Sequence, residues 1–134
     1  MKIGDAIPSR KYRMTQEIIN AWAEVSTDFN PLHVDLEFAK GSPFGGTIAH
    51  GHIAVSWLCE MLQAYFGREW LQGGRLFEVK FIAPVKPGDE ITPAGKVTAI
   101  EKGRALCEVW VEKSDGQKCV VGKAECAWAG AKEP

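Results

Sequence analysis

The chain has 134 residues, of which 46% are hydrophobic and 25% charged, and a formal net charge of −1. That length suits one compact domain over residues 1–134, large enough to bury a core without staples. The near-neutral balance gives no electrostatic case for a nucleic-acid partner or an anionic membrane surface, and no apolar run approaches bilayer length.

The opening stretch MKIGDAIPSRKYRM lacks the apolar segment of a secretory signal. Within it, RKYRM (Arg10–Met14) reads as a short strand. Thr15 then reads as the N-cap of a helix over QEIINAWAEV, with Ile18, Ile19, Trp22 and Val25 recurring on one apolar face. Asp35 reads as the cap of a short helix LEFAK, which GSPFGG (Gly41–Gly46) ends. The segment TIAHGHIAVSWLCEMLQAYFG (Thr47–Gly67) is apolar almost all round, so as a helix it is expected to be wrapped by other elements.

The second half alternates. RLFEVKFIAPV (Arg75–Val85), EITPAGKVTAI (Glu90–Ile100), RALCEVWVEKS (Arg104–Ser114) and QKCVVGKAECAWAG (Gln117–Gly130) read as strands. The turn signals KPGD and Asp115–Gly116 join them. Short connections in succession predict an antiparallel sheet, and Pro93 predicts an edge, an end or a bulge in its strand. The expected fold is α+β: a curved antiparallel sheet around one long buried helix. The cysteines, Cys59, Cys107, Cys119 and Cys126, form no CxxC pair and lie within apolar patterns. They read as reduced structural thiols of a cytoplasmic protein.

Two places carry candidate chemistry. The first is DFNPLH, Asp28 to His33, in the loop between two helical patterns. As packing, Asp28 closes a turn, Asn30 before Pro31 is extended and makes an Asx-turn, and His33 is a satisfied loop histidine. As chemistry, Asp28 and His33 face one site across a rigid turn, and a carboxylate and an imidazole sharing one water form an acid–base pair. The second place is AHGHIAVS. Gly51 falls near the helix N-terminus, where backbone N–H groups lack internal partners and negative charge is favoured. A glycine there admits a ligand close to the backbone, as an oxyanion site requires. Ser56 either lines that site or bonds to its own helix. His50 and His52 flank Gly51 on different faces with no obvious third ligand, so no metal site is expected. Together the groups point to proton transfer beside a carbonyl whose oxygen becomes negative.

STDFNPLHVDLEFAK followed by FGGTIAHGHIAVSWL resembles the MaoC-like family of R-specific enoyl-CoA hydratases, and FIAPVKPGDEI resembles that family's strand and turn. The resemblance implies a hot-dog fold, usually dimeric, with two sheets joined edge to edge and an acyl tunnel near the interface. It implies that Asp28 and His33 hold and activate a water, that the Gly51 N–H binds the thioester oxygen, that Ser56 lines the site and that Asn30 supports the loop. The implied substrate is an acyl-CoA thioester, hydrated reversibly across a trans-2-enoyl bond, with no metal or redox cofactor. The sequence departs from the family's pattern at Thr27, where glycine is frequent, and at His52, where an apolar residue is usual. The competing expectations are a hot-dog acyl-CoA thioesterase, against which the Asn-Pro-Leu-His motif weighs, and a non-catalytic acyl-CoA-binding protein, against which the presence of both Asp28 and His33 weighs.

Overall fold

The computed structural model describes residues 1–128. Strand β1 (Tyr12–Arg13) leads into helix α1 (Gln16–Ser26), capped by the Thr15 hydroxyl, which accepts from the Ile18 amide at 3.1 Å. On α1 the buried residues are Ile19 and Ala23. Val25, expected on the apolar face, is instead 83% exposed, because the face that packs follows the Ile19–Ala23 step. Two short helices follow, α2 (Pro31–Val34) and α3 (Leu36–Lys40), the second capped by Asp35 as expected. The sequence did not separate α2 from the loop. It begins where Pro31 supplies a preset φ at the first helical position and Asn30 caps it.

Helix α4 (Gly51–Phe66) is the long helix, followed by α5 (Arg68–Gly73). Thr47–His50, expected within the helix, runs into it as non-helical chain. Leu58 and Leu62 are fully buried, with Ile53, Ala54, Met61 and Phe66 alongside. Glu60, Gln63 and Ala64 stay exposed. The sheet thus wraps the helix over its buried side, and these three positions lie at its solvent side. The helix lies against strands β3 (Glu90–Glu101), β4 (Arg104–Lys113) and β5 (Lys118–Ala127). Gly95 in β3 permits this close approach: a β-carbon there would fall 3.3 Å from Met61 Cε and 2.8 Å from Ile7 Cδ1.

The five-stranded sheet is antiparallel, in the order β1-β3-β4-β5-β2, where β2 is Arg75–Phe81. Alternate β4 residues, Ala105, Cys107, Val109 and Val111, are buried, as a strand with one face on the core requires. The short β2–β3 connection suggested that these strands are neighbours. They are not: β2 pairs with β5 at the far side, and the connecting segment crosses, with the Ile82 amide donating to Cys119 O at 2.8 Å. The Pro93 expectation has a specific outcome. The Ile7 amide donates to Gly95 O and the Val97 amide donates to Asp5 O, while β1 pairs only at Glu90 and Ile91. Pro93 faces the same side in the gap between these two pairings, where no ladder donor is needed. Ala129 and Gly130, assigned by sequence to the last strand, lie outside the described residues. Among the described residues no helix is long and apolar enough to cross a membrane.

Candidate active site

Helix α1 ends at Thr27, which adopts φ 60° and ψ 20°, the left-handed conformation that favours glycine. Its hydroxyl donates to Ser26 O at 2.6 Å, so it serves the helix end. The reversal sends Asp28 back over the start of α4. Asp28 Oδ1 accepts from the Asn30 amide at 3.2 Å, and Asn30 Oδ1 accepts from the Leu32 amide at 3.0 Å. These successive turns set His33 on α2, with its amide donating to Asn30 O at 2.8 Å.

His33 is held at both ends. Gln16 Nε2 donates to the His33 carbonyl at 2.8 Å, and Thr47 Oγ1 donates to Gln16 Oε1 at 2.6 Å. The ring Nδ1 lies 2.8 Å from Ile48 O. A carbonyl only accepts, so Nδ1 carries a hydrogen, and in the neutral ring Nε2 is left with its lone pair. That Nε2 lies 4.0 Å from Asp28 Oδ2. The gap is too long for a direct hydrogen bond and short enough for one water to span.

His50 precedes α4 and is 4% exposed. Its ring stacks on His33 with centroids 3.9 Å apart and planes 27° from parallel. Its Nε2 lies 2.9 Å from Asp28 O and so donates to it. Its Nδ1 is sealed from solvent with no partner among the described residues, a desolvation that costs about 1–3 kcal/mol. Potential ligand atoms of Asp28, His33 and His50 lie within 4.8 Å of one another. Near-parallel stacked rings aim their in-plane lone pairs side by side rather than at one point, and His50 is committed to a carbonyl through its other nitrogen. The cluster is built as a hydrogen-bonded group more than as a tetrahedral ion cage.

Gly51 is the first residue of α4, and no acceptor is assigned to its N–H among the described residues. It lines a cavity of about 420 Å³ together with His33, His50, His52, Phe81 and Val85. Phe81 closes over it: a β-carbon on Gly51 would fall 2.5 Å from the Phe81 ring. His52, unlike His50, is exposed and lies 5.7 Å from the Phe81 ring centroid. The histidines flanking Gly51 do face different ways. Ser56 is not among the cavity-lining residues; its hydroxyl donates to Ile53 O at 2.6 Å within its own helix.

Sequence reasoning missed His50 as a partner of Asp28 and His33, and it missed Phe81 to Val85 as a cavity wall. For the wall, the signal was Pro84, which ends the strand register early; β2 stops at Phe81, and Val85 O instead accepts from the Ala49 amide at 2.7 Å. For His50 no local signal exists, since its partner lies across the loop.

A long helix against one face of a five-stranded antiparallel sheet is the hot-dog fold. The comparisons agree with that fold. The sequence model of the MaoC like domain matches residues 2–117. The (R)-specific enoyl-CoA hydratase of Aeromonas caviae is 30% identical over 111 residues, 79% of this chain and 80% of that protein. The mitochondrial 3-hydroxyacyl-[acyl-carrier-protein] dehydratase of Arabidopsis thaliana is 36% identical over 101 residues, 75% of this chain but 57% of the plant protein. The solved (R)-hydratase from A. caviae superposes with a TM-score of 0.81 at 28% identity, covering 96% of this chain and 97% of that one. The chain belongs to the MaoC-like domain family, whose relatives here are named hydratases and dehydratases.

Proposed function

We propose that the protein is an R-specific hydro-lyase that adds water reversibly to a trans-2-enoyl-CoA thioester, giving the (R)-3-hydroxyacyl-CoA. The observation that carries this reading is the 4.0 Å gap between His33 Nε2 and Asp28 Oδ2, with His33 Nδ1 tied to Ile48 O. A water in that gap gives one hydrogen to each acceptor and keeps a lone pair for attack. The Gly51 N–H, at the positive end of α4, receives the thioester oxygen.

The water oxygen bonds to Cβ while one of its protons passes to the Asp28–His33 pair. The Cα–Cβ π electrons move toward the thioester oxygen, which Gly51 holds as an enolate. A proton from the pair then returns to Cα on the same face. The net change is addition of H and OH, and the steps call for no metal or redox partner. Asn30 keeps Asp28 in place through the turn, while Ser56, bonded to Ile53 O within its own helix, takes no part in these steps.

The protein acts as a two-fold dimer in this reading. Among the described residues strand β2 pairs on one side only, with β5, and Phe81 and Ile82 at its end are exposed. Such an edge calls for a partner strand, and a second copy supplies one. Light scattering at micromolar concentration tests this, and a monomer mass contradicts it.

The test of the activity is loss of the enoyl-thioester absorbance across acyl chain lengths, on CoA and on acyl-carrier-protein carriers, followed by the chirality of the product. Formation of the (R)-alcohol from the CoA thioester is expected. Release of free thiol from saturated acyl-CoA, without hydration, would make the protein a thioesterase instead, and binding without turnover would make it a carrier or sensor.

A further inference from the structure

The Asp28–His33 pair rests on His50, which carries no role in the reading above. Its Nε2–H donates to the Asp28 carbonyl at 2.9 Å, and its ring covers one face of His33 at 3.9 Å between centroids. It is 4% exposed, and its Nδ1 is buried without a partner among the described residues. A phenylalanine would fill the same space with no orphaned nitrogen. Packing alone therefore does not account for an imidazole here. What the imidazole adds is one N–H aimed at the backbone of Asp28.

That backbone is in need of an anchor. Asp28 follows Thr27 in its left-handed conformation, and the carboxylate is half exposed. The loop is stiff between Asn30 and His33, but at Asp28 itself the remaining ties are to Ser26 Oγ at 3.2 Å and to the Asn30 amide at 3.2 Å. His50, fixed at the start of α4 beside Gly51, is the point where the helix that presents the oxyanion donor also grips the acid. We propose that His50 is a positioning residue: its Nε2–H fixes Asp28 relative to Gly51, while its ring limits rotation of His33. The proposal rests on the reading of Asp28 and His33 as the water-holding pair. It makes the separation of the three groups a property of one residue.

The experiment separates the two parts of the side chain in the full-length protein. His50→Phe keeps a ring over His33 and removes the N–H. His50→Gln removes the ring and keeps an amide N–H that reaches the same carbonyl. With both variants folded by thermal melt, hydration kcat of His50→Phe is expected to fall by about 10–100-fold, with KM within about twofold. His50→Gln is expected to recover most of the loss. Turnover of His50→Phe equal to wild type overturns the proposal, as does His50→Gln performing no better than His50→Phe. Two readouts do not depend on the activity. The imidazole nitrogen spectrum of the wild-type protein should show His50 with its hydrogen on Nε2, and an Nδ1–H tautomer overturns the proposal without any variant. Amide exchange at Asn30, whose N–H is held by the Asp28 carboxylate, should quicken in His50→Phe and not in His50→Gln; equal rates in both overturn it. A wild-type protein that fails to hydrate enoyl-CoA would remove the proposed function, while the spectrum and the exchange rates would still decide the role of His50.

Discussion

The Phe81 ring lies directly over Gly51, so that a β-carbon on Gly51 would stand 2.5 Å from the ring's Cε1 atom. The missing side chain of Gly51 thus leaves room for Phe81 beside an N–H that faces the proposed oxyanion position. The ring is 52% exposed in the single chain and ends a side chain that can change rotamer, so the clash can be relieved by turning the ring rather than by moving the backbone. The displaced ring would enter the cavity where the thioester carbonyl is placed. Gly51→Ala should therefore lower turnover roughly tenfold or more with little change in melting temperature. Adding Phe81→Leu to Gly51→Ala should restore much of the loss. If the double variant stays as slow as the single, the methyl itself blocks the backbone approach, and Phe81 has no part in the effect.

Thr27 holds φ 60° at the end of α1, a conformation that costs an ordinary L-residue about 1–2 kcal/mol. Thr27→Gly removes that strain and adds about 0.5–1 kcal/mol of backbone entropy cost. The expected result is a urea midpoint equal to or above that of the parent. Thr27→Val keeps the branched side chain at the same φ but loses the 2.6 Å bond to Ser26 O. It should be less stable by about 1 kcal/mol. A glycine variant clearly weaker than wild type would mean that the threonine hydroxyl outweighs the backbone strain.

Burial pushes the thiols of Cys59, Cys107, Cys119 and Cys126 all up, that of Cys107 from 9.0 to about 11, so they differ in reactivity through exposure. The unfolded chain then ionises at lower pH than the folded one. Stability linked to Cys107 is fully present below pH 9.0 and is lost as the pH rises toward about 11. At pH 8 an alkylating reagent should modify the half-buried Cys59 first and the other three only on unfolding. Fast labelling of Cys107 in the native protein would contradict the packing described for β4.

Much of this architecture is legible in the sequence because it is locally encoded. Thr15 and Asp35 cap the helices that they precede, and the alternation in β4 follows its burial residue by residue. The Asp28–Pro31 turn chemistry places His33 through hydrogen bonds between near neighbours. What the sequence does not display depends on chain crossings. That β2 pairs with β5 rather than β3 is set by which strand is left to complete the sheet, and no residue in the connection signals it. Val25 fits a helical period as well as Ile19 does, and only the position of the sheet decides which one is buried. His50 is a histidine beside a glycine until the loop from α1 lays Asp28 O within 2.9 Å of it.

The central claim is that Asp28 and His33 act on one water across their 4.0 Å gap. The most direct test is a double-mutant cycle on the rate of enoyl-CoA hydration, with Asp28→Asn, His33→Ala and the double variant, each confirmed folded by its thermal melt. Groups that serve a single water are not independent, so removing the second after the first should cost little. The account predicts that each single variant loses roughly a thousandfold or more in kcat and that the double falls within about tenfold of the worse single. Near-full turnover in either single variant, or losses that simply multiply in the double, would contradict it.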